Sequence, residues 1–359
     1  MALTVSGTSA ITKPVNTIFE QTLLRNAKAR CPYFIGSTPG EIMRGNGSNV
    51  LTMRRMANLS DATTALSEVS TASYMQGHTP ASLSVTAVTA TLAKYGNFVI
   101  LNEEVEAFVY NAHMDKIMEV IGINAGSTMN VLHRNTLEDN GTMVYAAAAA
   151  SDGAVASAIT LNDIKRTINA LQKQSALTFS PMATGSTNVG TVPHLPAYWG
   201  ICHPDVAIDI AGLSGFTSVE KYAGQVSVAM GEFGSIGVAG QSVRFLCSEK
   251  AGVDVDSGAA IASLDLNSNS ANVDLYSTVI FGQDAHASVS LGTRLPDGTY
   301  MAGDSVDAID VIVKQMGSGG TSDPFNDIST VAWKAWYAGA ITNSNWLRVI
   351  RSGATNINN

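Results

Sequence analysis

Charge is missing from long stretches of this chain. No Lys, Arg, Asp or Glu occurs from 69 to 93, nor from 174 to 204. Over 359 residues, Lys+Arg 21 and Asp+Glu 29 amount to 14% charged, against roughly 25% in an ordinary soluble protein. A solitary globule of this size covers itself with charge to stay soluble. Much of this chain's surface must therefore be covered by something other than water.

Lipid is a poor candidate for that cover. No run of about 18 or more apolar residues appears, and both charge-free stretches are full of Ser, Thr, Gln, Asn and Gly, which hydrocarbon would not accept. No membrane partner is expected. Protein is the better candidate, because the cores of subunit interfaces are depleted in charge. The start, Met1-Ala2-Leu3-Thr4-Val5, has neither the basic residues nor the apolar core of a secretory signal. Cys31, Cys202 and Cys247 are odd in number and far apart, so a reducing cytoplasm is expected rather than a disulfide framework. A net charge of −8 argues against tight binding of nucleic acid over one broad face. Local patches such as Arg54-Arg55 remain available.

Residues 1–60 read as an extended arm. Only 16–30 has helical potential, with Ile18, Leu23 and Leu24 apolar and Arg25, Lys28 and Arg30 toward its end. Pro32, Pro39 and the glycines up to Gly47 then break regular structure. Farther on, Leu83, Val85 and Ala87 alternate with polar residues, and so do Val88, Ala90 and Leu92, with one slip of phase between them, as a bulge or a twist would cause. Such β-rich, nearly uncharged sequence suits a long exposed hairpin.

The strongest helical pattern runs from Glu103 to Asp139. Val105, Phe108, Val109, Ala112, Ile117, Ile121, Ala125, Met129 and Leu132 recur three or four apart, although Gly122 and Gly126 threaten a break. Unbroken from 103 to 137, it would be about 50 Å long. A second helix is expected after the Thr160-x-x-Asp163 signature, and a third at His203-Pro204-Asp205, with Pro204 in the first turn. An apolar run covers 197–202; strands are expected near 243–247, 273–282, 306–313, 330–338 and 346–350, and a surface insertion over 250–272.

Motifs that could carry chemistry are weak. Gly317-Ser-Gly-Gly-Thr321 lacks the Lys-Ser/Thr of a phosphate-binding loop and reads as a turn. The six histidines hold no i, i+4 pair for zinc, and Asp254-Val-Asp256 lacks the later glutamate of a calcium loop. Trp333, Trp336 and Trp346 suit burial between strands or at a subunit contact better than ligand stacking. No cofactor, metal or catalytic residue is expected. An enzyme would need His203, Asp205 and Glu232 gathered in one cleft.

Blocks spread over most of the chain carry a resemblance. In order they are Arg55 with Ala62-Thr63-Thr64, Ala90-Thr91-Leu92 with Tyr95-Gly96, His203-Pro204-Asp205, Gly231-Glu232-Phe233-Gly234 and Val243-Arg244-Phe245. Then follow Tyr276 with Phe281-Gly282, Gly319-Gly320-Thr321-x-Asp323-Pro324 and Trp333-Lys334. In order and spacing they resemble the major capsid proteins of short-tailed, podovirus-type bacteriophages. The resemblance implies an α+β fold of the Hong Kong 97 type. Its parts would be an N-terminal arm (1–60), an extended β-hairpin loop (61–101), a peripheral domain with a spine helix (102–196), an axial domain (197–308) and strands returning to the peripheral domain (309–359).

The same resemblance implies an icosahedral shell without catalysis, assembled in a bacterial cytoplasm. Partners would be the chain itself in hexamers and pentamers, a portal, a scaffold or decoration protein, and packaged double-stranded DNA contacted non-specifically. Interface candidates are Arg54, Arg55, Met75, His78, Leu83, Val85, Gly319, Gly320, Asp323 and Trp333. Asp327-Ile328 depart from the Gln-Arg that the family tends to carry there. A decoration or tail protein is the alternative within a virion. Deletion of 70–92 is expected to leave a folded domain unable to assemble.

Overall fold

A computed structural model describes residues 31–42, 47–56, 59, 61–63, 82–104, 113–185, 193–224, 226–238, 240–261, 265–294, 300–301, 309–314, 316, 325 and 327–357. Strands β1 (Thr38–Ile42), β2 (Val50–Met56), β3 (Val85–Thr91) and β4 (Ala93–Asn102) precede helix α1 (His113–Asn140). Strand β5 (Thr142–Tyr145) leads to α2 (Leu161–Lys173), and β6 (Ala197–Cys202) to α3 (Pro204–Ala211). Then come β7 (Phe216–Ser218), β8 (Glu232–Val238), β9 (Gln241–Cys247), β10 (Val253–Asp254), β11 (Leu275–Phe281) and β12 (His286–Leu291). The last are β13 (Thr293–Arg294), β14 (Tyr300–Met301), β15 (Ile309–Lys314), β16 (Ile328–Ile341) and β17 (Leu347–Ser352).

Two sheets organise these elements. The first runs β1-β12-β16-β15, with β4 along β16; the second runs β5-β17-β11-β6-β9-β8-β7, with β10 on β11. Helix α1 belongs to both. Its buried stripe begins with Met118, Ile121, Ala125 and Met129, which pack on Val331, Trp333, Ala335 and Tyr337 of β16 and Ile309 of β15. Farther along, Leu137 packs instead with Leu347 and Val349 of β17 and Val279 and Phe281 of β11. At 1.5 Å per residue, α1 is about 42 Å long. The expected break at Gly122 and Gly126 does not occur. Both lie on the buried face, where packing outweighs the propensity cost of glycine. Across the interface, a Cβ on Gly339 of β16 would stand 2.6 Å from Thr136 Oγ1, so only glycine lets the helix come this close.

The smaller helices follow their sequence signals. Thr160 and Asp163 form the capping box of α2, whose Ile164, Ile168 and Leu171 are fully buried. At α3, His203 Nδ1 accepts from the Asp205 N–H at 3.3 Å, with Pro204 in the first turn. Ile164, Ile168 and Leu171 of α2, with Val206 and Ile210 of α3, pack on Tyr198, Val243, Phe245, Ile280 and Ile350 of the second sheet.

Three expectations need correction. Residues 31–42 are not a free arm. Tyr33 is fully buried and its N–H donates to Asn130 Oδ1 at 3.2 Å, while β1 pairs in parallel with β12 from Thr38↔Ala287 to Ile42↔Leu291. Pro39 is tolerated there because β1 ends its sheet; the helix expected at 16–30 lies outside the described residues. No bulge interrupts β3, which pairs with β2 from Val50↔Thr91 to Met56↔Val85 in unbroken register. The slip of phase marks a change of face: Ala90 and Leu92 are buried, whereas Val85 is 48% exposed on the other side. The stretch 250–272 is stitched to the body rather than inserted freely, since β10 pairs with β11 and Asp254 forms an ion pair with Arg351.

Two sets of titratable groups hold the parts together. His133 of α1 sits between His286 of β12 and Tyr337 of β16. Its Nε2 is 2.9 Å from His286 Nδ1, its Nδ1 shares a hydrogen bond with the Tyr337 hydroxyl, and its ring stacks on Phe34 at 4.7 Å. Burial keeps both imidazoles neutral, lowering His286 to about 3 and His133 well below its usual range, the latter helped by His286. At the far end of α1, Arg134 Nη1 donates to the Lys250 carbonyl at 2.7 Å, and Glu138 Oε1 accepts from the Gly252 N–H at 3.1 Å. A Cβ on Gly252 would lie 2.4 Å from both carboxylate oxygens. Burial raises Glu138 to about 7, outweighing Arg134 and the Gly252 N–H, which lower it.

These groups give opposite pH dependences. Unfolded, each histidine takes up a proton near pH 6.5; folded, it does not. The stability they support is complete above that value and falls as pH drops toward 3, by up to ~1.4 kcal/mol per pH unit for each proton. Denaturant midpoints between neutrality and about pH 5 should show this slope, and His286→Gln should flatten it. An unchanged slope in the variant would refute the assignment. Glu138 keeps its proton when folded but loses it near 4.5 when unfolded, so its contribution is lost as pH rises through 7. Glu138→Gln should therefore raise stability at about pH 8, on the order of 3 kcal/mol at most, and do nothing at about pH 4. Equal gains at both values would contradict this.

Candidate assembly surface

The β2–β3 ladder is a two-stranded sheet separate from both larger sheets. Near its root, Ala90 and Leu92 are buried with Ile42, Val289, Ala338 and Ala340, and Leu51, Met53 and Val88 pack against them. At the other end Met56, Val85 and Leu83 are 64%, 48% and 54% exposed. Arg55 Nη1 donates to Asn343 Oδ1 in the turn after β16, tying the ladder to the body. A cavity of about 630 Å³ lies beneath it, lined by Arg54, Arg55 and Met56 on one side and Asp284, Asn343 and Trp346 on the other.

The interface candidates from the sequence therefore divide. Arg54, Arg55, Leu83 and Val85 are brought together on this ladder, with Arg54 exposed and Arg55 half-buried. Residues 50–56, assigned to the arm, are half of the ladder. Trp333 is corrected: it is 2% exposed beneath α1, its indole N–H donating to Asn124 Oδ1 at 3.1 Å. Its side chain belongs to the core of this chain. Met75, His78, Gly319, Gly320 and Asp323 lie outside the described residues, as does the turn 317–321. Asn343 gave no signal, because nothing local in sequence links it to Arg55.

The residues that an enzyme would need are not gathered. Asp205 Oδ2 is 3.2 Å from His203 Nδ1 and accepts from the Tyr276 hydroxyl at 2.9 Å. Glu232 belongs to another network: Arg244 Nε and Nη2 donate to its two oxygens at 2.7 and 2.6 Å, joined by the Tyr222 hydroxyl at 2.7 Å and the Ala229 N–H at 3.0 Å. Arg244 also donates to the Ser227 carbonyl at 2.6 Å and stacks over Trp199 at 4.3 Å. This buried ion pair fixes the loop between Tyr222 and Ala229 on the second sheet, with Val228 and Met230 left exposed nearby. Among the described residues, no group of three or more His, Cys, Asp or Glu is placed to hold a metal, and no helix is long and apolar enough to cross a membrane. Cys202 and Cys247 face each other across β6 and β9 as free thiols, both raised by burial.

No protein-family model and no curated sequence relative matches this chain. Its backbone is similar to solved structures. A chain from the capsid of Ralstonia phage GP4 matches with a TM-score of 0.63 at 11% identity, over 90% of this chain and 87% of that one. This is a phage capsid fold. The acid-stable capsid of Helicobacter pylori bacteriophage KHP30 matches at 0.54 and 11% identity, over 90% and 91% of the two chains. The head of Helicobacter pylori bacteriophage KHP40 matches at 0.51 and 10%, over 91% of each. The α+β architecture expected from the sequence is thus observed: a capsid fold of the Hong Kong 97 type, with the long helix α1 lying across its sheets. In this capsid fold the Glu232–Arg244 pair is a structural brace.

Removing one partner of that brace should be costly. Arg244→Met leaves a buried carboxylate unpaired and should lose about 3–5 kcal/mol in denaturant unfolding, whereas Arg244→Met/Glu232→Leu should regain most of it. A double variant as unstable as the single one would show that the pair itself supplies the stability.

Proposed function

We propose that this chain is the major capsid protein of a tailed bacteriophage, and that copies of it build the icosahedral shell around the genome. The observation that carries the reading is mutual coverage: the match with the GP4 capsid chain takes in 90% of this chain and 87% of that one. Shortage of charge supports it, with 14% charged residues, because surfaces that meet other subunits do without ions. So does a projecting ladder with exposed Met56, Leu83 and Val85. The chain acts by association, without catalysis. Its first partner is itself, in hexamers and pentamers; portal, scaffold or decoration proteins and packaged DNA are further partners, and the virion is its location.

In this reading the peripheral domain is α1 with the first sheet, and the axial domain is the second sheet with α2 and α3. The extended loop is the β2–β3 ladder, which begins near Val50 rather than at 61. Many weak contacts among several neighbours suit such a shell, since they add up in the closed particle while single errors still dissociate.

The deletion expected from sequence, 70–92, would strip β3 and the buried Ala90 and Leu92 from the root, so unfolding would mask the result. Replacing 60–81 with a short Gly-Ser turn keeps both strands. The full chain should give closed or partly closed shells in negative-stain microscopy. The shortened chain should keep a cooperative thermal transition yet give none. Normal particles from the shortened chain would remove the ladder from assembly, and trimers or small closed rings from the full chain would favour a decoration or tail protein.

A further inference from the structure

The first sheet has two faces, and the register separates them. Val331, Trp333, Ala335 and Tyr337 of β16, with Ile309, Val311 and Val313 of β15 and Tyr95 of β4, point at α1. The alternate residues point away. Toward one end this outer face is roofed by the chain's own β2–β3 ladder, which covers Trp336, Ala338 and Ala340. Toward the other end no buried cluster among the described residues roofs it.

There the pairing aligns three rows of side chains. Phe98, Ala332 and Ile312 stand side by side across β4, β16 and β15. Ile100, Thr330 and Lys314 form the next row, and Gly96, Lys334 and Asp310 the one on the other side. Phe98 is 62% and Ile100 57% exposed. Lys94, Lys314 and Lys334 edge these apolar residues, and within the three rows the acid is Asp310, 3.6 Å from Lys334. An apolar centre with a polar rim is the layout of a protein-binding patch. Its charge runs against that of the chain, which is −8 overall.

We propose that this half of the outer face, centred on Phe98, Ile100 and Ile312, is a docking surface for a second copy of the chain, which meets it with an acidic surface. The inference rests on the shell reading and names one of its contacts. A second copy fits because the lysine-edged patch and the acidic remainder of an identical chain attract each other, and because Phe98 and Ile100 are apolar side chains that a phosphate backbone would leave in water. The contact is heterologous: a basic patch on one copy meets a different surface on the next, as growth of a lattice requires.

Phe98→Lys/Ile100→Lys puts charge into the centre without disturbing the α1 side. With the thermal transition unchanged, the concentration needed for particles in light scattering should rise about tenfold or more, since central apolar residues carry most of the affinity. Lys94→Glu/Lys314→Glu should raise it about threefold at low salt and less at about 0.5 M salt, where screening removes the effect. A maleimide label on Phe98→Cys should react freely in the dispersed chain and slowly in particles. Particles at the wild-type concentration from the double lysine variant, or equal labelling in both states, would overturn the inference and leave the shell reading intact. A wild-type chain that never forms particles would sink both. Loss of duplex DNA binding in the Lys→Glu variant, with assembly unaffected, would assign the face to nucleic acid.

Discussion

Helix α1 lying across two sheets is the constraint from which the rest of the architecture follows. One face of the helix must pack on β16 through Trp333 and Tyr337 and, farther along, on β11 and β17 through Leu137. That demand explains features that look unrelated in sequence. Gly339 is small so that Thr136 can sit against the sheet. Tyr33 and Phe34 fill the angle between helix and strands, which is why the chain after Cys31 is part of the body. His133 and His286 stay neutral because the contact leaves them no water. Burial of this kind is worth about 25 cal/mol per Å² of apolar surface, so the large side chains along the helix dominate the balance.

Polar groups then fix what apolar packing leaves loose. Glu138 and Arg134 hold the turn at Lys250 to Gly252 against the end of α1. Arg351 joins β17 to Asp152 and Asp254, and Arg244 with Glu232 holds the loop after Tyr222 to the second sheet. Several of the chain's few charges thus serve as joints between elements, and the low charge content overall fits the proposed shell reading, in which subunit interfaces are depleted in ions.

Local signals were legible and long-range ones were not. The capping box at Thr160, the proline-led start of α3 and the β-rich runs of β9 and β11 can be read from neighbours along the chain, because their causes lie within a few residues. The same kind of reading misjudged 31–42, whose glycines and prolines look irregular until β12 is present to pair with them. It also read a change of face in β3 as a bulge or a twist, since alternation shows which residues are apolar but not which side of a strand the body lies on. Trp333 shows the limit for the candidate surface: an aromatic in a strand suits a core or an interface equally well, and only α1 decided between them.

By itself, the sequence determined the low charge of the chain, the positions of the helices and the order of motif blocks that resembles the phage capsid proteins, because these depend on residue type and short spacing. Tertiary structure alone decided which strands pair, that β2 pairs with β3 while β4 joins β16, that Arg55 reaches Asn343, and that Phe98 and Ile100 lie exposed on the outer face of the first sheet. Those outcomes depend on residues tens to hundreds of positions apart meeting in space, and no local pattern encodes such meetings.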